Sequence, residues 1–212
     1  MKESTTPRVT LRKKPTQARS IQKYNRILDM VAELVESGGT DWITTNLIAE
    51  KVGVPIGTIY QFFPNKESIL YALFERQLHQ LDTHFEPFFS EALDELSMDQ
   101  LMGQAVFSMS TAYEKVPGMV NIMNSMHVHP DFRELVDINN RRLAKWLSGL
   151  LKRRFPDESD DQLMLVAEAV VELGDSIFRK LLQLRPRDEL REMMLIGFKL
   201  AVIALVDQRL GS

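Results

Sequence analysis

The chain predicts an all-α protein with a small N-terminal three-helix head and a larger helical body. Gly and Pro fall between segments of helical periodicity, and no sustained period-two alternation appears. Two short helical patterns also meet at a single glycine, Gly53, within Thr44–Lys66. The expected division is a basic arm over 1–16, a helix-turn-helix over 17–64 and a helical body over 65–212.

The first helix is expected from Gln17 to Ser37, with Ile21, Ile27, Leu28, Val31, Leu34 and Val35 on one face and Gly38-Gly39 ending it. After the turn 40–43, Thr44 or Thr45 caps a second helix that ends near Val52. Pro55, tolerated in a first turn, opens a third helix through Phe63; Pro64 stops it, and Asn65 caps a long fourth helix toward Phe85. Further helices are expected at Met98–Val116, Gly118–His127, Pro130–Phe155, Asp160–Leu184 and Arg187–Leu210, with breaks at Pro117, Pro130, Pro156 and Pro186.

At 212 residues and 44% apolar content the chain can bury a real core, and 26% charged residues argue for a soluble protein. There is no cysteine, so disulfides, thiolate zinc sites and cysteine nucleophiles are excluded; this fits a cytoplasmic location. No signal peptide is expected. The longest nearly apolar run, Met193–Val206, contains Lys199 and is too short to span a bilayer, so no membrane role is expected. The net charge of −3 hides an asymmetry: the chain through Lys66 carries +4 and the remainder −7. A cationic head on an acidic body draws a polyanion to one end.

The helix-turn-helix has physical content. Ala49 is small where two helices cross, Gly53 supplies a positive φ, and Ile59 and Phe63 anchor the third helix. The outward face is then Ile56, Gly57, Thr58, Tyr60 and Gln61, with Phe62 at its far edge. An exposed face with Ile and Tyr but no charge suits close approach to bases, with Ile56 on thymine methyls and Gln61 on adenine edges. Lys66, in the first turn of a helix, opposes the macrodipole unless a phosphate sits there.

The order Thr44-Thr45, Ile48-Ala49, Val52-Gly53-Val54, Gly57-Thr58-Ile59-Tyr60, Phe63 and Lys66-Glu67 resembles the DNA-binding domain of TetR-family transcriptional regulators, over about Ile27 to Leu73. The resemblance implies a homodimer, usually a repressor, on a near-palindromic double-stranded operator. Carried over by position, Thr45, Thr58, Tyr60 and Lys66 match phosphate contacts, while Asn46, Pro55, Ile56, Gly57 and Gln61 occupy positions that vary with operator. Asn46 stands where an arginine often reads guanine, Pro55 replaces a frequent serine cap, and Phe62 replaces a common histidine or tyrosine. The arm, with Arg12, Lys13, Lys14 and Arg19, lies beside the adjacent minor groove.

The resemblance also implies that the body binds a small-molecule effector and dimerises. The methionine- and aromatic-rich middle gives the candidate pocket: Met102, Phe107, Met109, Tyr113, Met123, Met126, His127, Trp146 and Phe178, suited to an apolar or aromatic effector. Asn124, His127 and Asn140 are the sparse polar candidates. Glu168, Glu172, Asp175 and Arg179 form a stripe whose direction stays open. The surface reading is preferred because Asp175 and Arg179 are an i,i+4 pair; a pocket-facing stripe implies a cationic or hydrogen-bonding effector. Leu163, Val166, Val170, Leu173, Ile177, Leu181 and Leu184 form a packing seam. With the small residues Gly197, Ala201 and Ala204 of the last helix, Leu173 and Ile177 are the expected dimer interface.

His127, His129 and Asp131 read as a surface turn rather than a metal site, and no cofactor is expected. No Gly-rich phosphate loop, nucleophile elbow or HExxH motif appears, so catalysis is not expected. Two other roles stay open: an activator, and a helical interaction module whose basic head binds an acidic partner.

Overall fold

The computed structural model describes residues 9, 14–85, 95–126, 129–181, 184 and 189–210; the side chains of 84, 85, 109, 110, 114 and 126 are outside the description. Among the described residues the secondary structure is nine α-helices and no strand: α1 (Ala18–Gly38), α2 (Thr45–Val52), α3 (Ile56–Phe62), α4 (Lys66–Phe85), α5 (Met98–Lys115), α6 (Met119–Met126), α7 (Pro130–Arg154), α8 (Asp160–Leu181) and α9 (Glu189–Leu210). None of them is long and apolar enough to cross a membrane.

By packing, the chain forms two units. The first holds residues 1–80 and 114–135, the second 81–113 and 136–212. The division therefore falls inside α4, α5 and α7, whereas the sequence pattern suggests a functional boundary at 64/65.

In the first unit, α1 packs on α2 and α2 on α3, and Ile27, Leu28, Val31 and Val35 of α1, Ile48 and Val52 of α2, Ile59 and Phe63 around α3, and Ile69 and Leu73 of α4 are all buried. Gly39, at φ 76°, ends α1 by donating its N–H to the Val35 carbonyl at 2.8 Å. Nearby, Trp42 lies close to Gly38: a β-carbon on Gly38 would come within 2.9 Å of the indole Nε1. Asn65 caps α4 by accepting from the Ser68 N–H at 2.8 Å, and the Ser68 hydroxyl closes the reciprocal bond to the Asn65 N–H at 3.2 Å.

Residues 114–135 join this unit through α1 and α4. Gly118 sits at φ 74°, with a β-carbon position only 3.0 Å from the Ala32 carbonyl, and its N–H donates to Glu36 Oε2 at 2.6 Å. Asn121 Nδ2 donates to the Val35 carbonyl at 2.9 Å. Phe132 at the start of α7 stacks on Phe74 at 5.8 Å and meets Tyr71 edge-on at 5.6 Å.

In the second unit, α8 and α9 pack together, and α5 and α7 close the core with Leu101, Met102, Val106, Ala144, Leu150 and Leu151. The buried face of α8 is Leu163, Val166, Ala167, Val170, Gly174, Phe178 and Leu181. Of the expected seam, Leu163, Val166, Val170 and Leu181 lie on this face, while Leu173 is exposed and Ile177 and Leu184 are half-buried. The reason is Gly174. It presents no side chain, so the Phe198 ring of α9 approaches to 3.3 Å of its β-carbon position, and the buried face centres on Gly174 and Phe178.

Candidate nucleic-acid interface and effector cavity

The candidate recognition helix is α3, held from behind. Ile59 and Phe63 are buried, and the Tyr24 ring of α1 stacks on Phe63 at 4.8 Å and meets Phe62 edge-on at 5.9 Å. Phe62 is thus half-buried as packing surface. In front, Ile56 is 36% and Tyr60 42% exposed; Pro55, Gly57 and Gln61 are also exposed, and Thr58 is half-buried. A β-carbon built on Gly57 would meet nothing within 4 Å. The fold therefore does not require glycine there, although glycine costs a helix roughly 0.5–1 kcal/mol relative to alanine.

The turn that aims α3 is set by Gly53, in the left-handed conformation at φ 73°, ψ 42°. Its N–H and that of Val54 close on the Ala49 carbonyl at 3.0 Å each. Arg26 of α1 donates to the Val52 carbonyl at 2.8 Å, satisfying the end of α2. The Thr44 hydroxyl caps α2 by accepting from the Leu47 N–H at 3.2 Å. Thr45 and Tyr60 join hydroxyls at 3.3 Å, so two polar groups of α2 and α3 stand side by side, with Asn46 exposed beside them.

Lys66 is not simply solvated. Its ammonium donates to the Thr40 carbonyl at 3.4 Å, which offsets its unfavourable place at the start of α4. Of the arm, Arg12 and Lys13 lie outside the described residues. Lys14 pairs with Glu75 of α4 at 2.7 Å, and the Val9 N–H donates to the Asp131 carboxylate. Arg19 is exposed on the first turn of α1. Asp131, expected on a surface turn, is instead buried, and its N–H donates to His129 Nδ1 at 3.3 Å. No cluster able to hold a metal ion occurs among the described residues.

The second unit contains a cavity of about 120 Å³ between α5, α7, α8 and α9. Leu101, Val106, Leu143, Leu147, Val170 and Phe198 are typical of its apolar wall, and Tyr113, Asn139, Asn140 and Asp175 are the polar residues that line it. Asn140 Nδ2 donates to Glu172 at 3.3 Å, and Arg142 donates to the Asn139 amide oxygen at 2.7 Å. Arg179 donates to Asp175 one turn away. Burial is the main cause that pushes the Asp175 carboxyl above its ordinary value; Glu172 and Asp137 add to it, and Arg179 opposes it. Tyr113 is raised well above the ordinary phenol range by burial first and by Asp175 second.

Of the expected pocket residues, Met102 and Tyr113 line this cavity. Phe178 stands behind, stacked on Tyr113 at 5.8 Å and edge-on to Phe198 at 5.8 Å. Phe107 is 70% exposed and off the wall, because it faces outward from α5. Trp146 is also off the wall, half-buried beneath the Arg142 guanidinium at 5.6 Å. Met123 is buried in the first unit, while His127 and the side chains of Met109 and Met126 lie outside the description. The acidic stripe divides: Asp175 turns to the cavity, against the preferred surface reading, whereas Glu168 and Glu172 are exposed.

Helices α8 and α9 also present an apolar outer face. Leu165 and Leu173 on α8, and Leu190, Met193, Ile196 and Leu200 on α9, are all exposed. Gly197, Ala201 and Ala204 are exposed along the same helix. Six large apolar side chains left to solvent on two packed helices exceed the scattered single residues of an ordinary surface.

The model for bacterial regulatory proteins of the tetR family matches residues 27–73. The nucleoid occlusion factor SlmA of Vibrio cholerae is 26% identical over 169 residues, spanning 76% of this chain and 85% of that protein. The transcriptional repressor KstR of Rhodococcus jostii is 31% identical over 62 residues, 29% of each chain. A TetR-family regulator from Streptomyces coelicolor superimposes with a TM-score of 0.60 at 25% identity, covering 89% of this chain and 99% of that one. With the family match lying on the α1–α4 head and the same fold extending through the helical remainder, the chain belongs to the TetR family of transcriptional regulators.

Proposed function

We propose that the protein is a homodimeric, ligand-responsive repressor that releases a near-palindromic operator when a small molecule enters the cavity of its second unit. The observation that carries this reading is α3, a helix anchored by Ile59 and Phe63 that leaves an uncharged face of Ile56, Gly57, Tyr60 and Gln61 to solvent. In the complex Ile56 meets thymine methyls, Gln61 an adenine edge and Asn46 an adenine or a phosphate. Thr45, Thr58 and Tyr60 hold phosphates, and Lys66 trades the Thr40 carbonyl for one. Pro55 and Gly57 let the backbone come close. The arm cations Arg12, Lys13, Lys14 and Arg19 add phosphate charge, Lys14 leaving Glu75 to do so.

The apolar outer face of α8 and α9, with Leu173, Gly197, Ala201 and Ala204, pairs with its copy in a second chain, Ile177 packing beneath. The pair sets two heads about 34–36 Å apart, one turn of duplex. On this reading residues 1–16 are the arm, 17–64 the DNA-binding head and 65–212 the effector and dimer body. Control runs through α5: Tyr113 lines the cavity, and the next residue, Glu114, begins the segment 114–135 that folds with the first unit. A ligand moves the equilibrium by no more than its difference in affinity for the two states. A DNA-binding role places the protein in the cytoplasm.

The test is binding of the purified full chain to its own upstream DNA and to a scrambled duplex. The upstream sequence should bind more tightly, and with about six to ten phosphates neutralised per dimer its affinity should fall about 10³–10⁵-fold between 50 and 200 mM salt. Equal, salt-insensitive binding to both duplexes, or binding to neither, overturns the reading and favours a protein-interaction module.

A further inference from the structure

We infer that the cavity of the second unit selects a small apolar amine, its single ring or short chain on the aliphatic wall and its ammonium on Asp175, Asn140 and Tyr113. This rests on reading that cavity as the effector site, and it narrows the effector to one size and one charge class.

Size follows from volume. A space of about 120 Å³ is on the scale of a cavity that accepts one benzene ring. A fused polycycle or a long acyl chain needs the walls to move.

Charge follows from the polar edge. Asn140 has already given an N–H to Glu172, so its oxygen is left to accept. Asp175 offers two carboxylate oxygens, of which Arg179 engages one, and the Tyr113 hydroxyl is a further acceptor. Asn139 is a lesser acceptor, since Arg142 already occupies one lone pair of its oxygen. An ammonium brings three donors to the other three acceptors.

The neighbouring charges leave room for a cation. Arg179 is the strongest charge acting on Asp175, and Glu172 and Asp137 act on it with the opposite sign, so its neighbours include two further acids that favour a cation. Arg142, the other base at the polar edge, is paired with Asp82. The Arg179 side chain is partly exposed and can turn to water when a ligand cation arrives. A carboxylate ligand would instead meet Asp175 head-on. A hydrocarbon would leave Asp175 in the apolar surroundings that already disfavour its charge.

The test is calorimetric titration of the full-length protein near neutral pH with four probes of matched shape: benzylamine, benzyl alcohol, benzoate and ethylbenzene. Benzylamine should bind about tenfold or more tighter than ethylbenzene, with benzoate weakest. Asp175→Asn should erase that advantage while ethylbenzene binding persists. Tyr113→Phe keeps the ring stack and should weaken benzylamine alone, which decides the matter if Asp175→Asn does not fold. Leu147→Trp, filling the cavity, should abolish binding of all four.

Ethylbenzene or benzoate equal to or better than benzylamine, an amine preference that survives both Asp175→Asn and Tyr113→Phe, or no binding by any probe overturns the inference. Release of operator DNA is scored separately. Amine binding at this cavity without release upholds the ligand class and defeats the effector reading; release by ethylbenzene without amine preference does the reverse.

Discussion

Gly57→Ala separates what the fold needs from what the DNA needs. The residue lies in the first turn of α3, and an added methyl would meet nothing within 4 Å. Folding should therefore gain the helix preference of alanine over glycine, about 0.5–1 kcal/mol. For a chain of this size that raises the unfolding midpoint by about 1–4 °C at fixed protein concentration. If the backbone at Gly57 approaches the groove, the same methyl stands where a base edge or sugar must come. Operator affinity should fall about tenfold or more, near 1.4 kcal/mol. Thermal unfolding by circular dichroism gives the first number, and fluorescence anisotropy on labelled operator gives the second. A variant that is more stable and binds operator as before refutes close approach at Gly57. One that is less stable refutes the open space around it.

Ala201→Arg should leave each chain folded, because the site is exposed, but should give monomers by sedimentation velocity with operator binding lost; a fully binding dimer rejects that interface. Gly118→Ala should cost about 2 kcal/mol or more in urea unfolding, because its φ of 74° is left-handed and its β-carbon would sit 3.0 Å from the Ala32 carbonyl; a neutral result contradicts that packing. Asp175 imposes no ionisation penalty below its ordinary value of 3.8, where it is protonated folded or unfolded. The penalty grows as pH rises from there through the raised folded value, and stays above it. The stability difference between Asp175→Asn and the natural chain should accordingly shift toward the variant as pH rises through that window; a shift the other way shows a depressed pKa instead.

The head was legible because its signals are local. Gly39, Gly53 and Pro64 stop helices wherever they occur, and Ile59 and Phe63 sit one turn apart, so the buried side of α3, and hence its exposed side, follows from spacing. The cavity was not, because its wall is mostly common aliphatics such as Leu101, Val106, Leu143 and Leu147. Nothing in their types distinguishes a lining side chain from core, and the methionines and aromatics drew attention to Phe107 and Trp146, which lie off the wall. Asp175 and Arg179 read equally well as a surface pair; only the packing of α5 and α7 against α8 buries the carboxylate. The register of α8 turned on Gly174, whose missing side chain lets Phe198 in and moves Leu173 out. The membership of 114–135 in the first unit rests on the positive φ of Gly118 and its bond to Glu36, neither visible in a one-dimensional pattern.

The chain has two tryptophans, and the units hold one apiece: Trp42 beside Gly38 in the first, Trp146 beneath Arg142 in the second. Each unit thus comes with its own native fluorophore. Trp146→Phe leaves an emission that reports on the head as duplex arrives, and Trp42→Phe leaves one that reports on the body as ligand arrives. Comparing the two spectra in stopped flow would time the passage of a signal between the units without any attached dye.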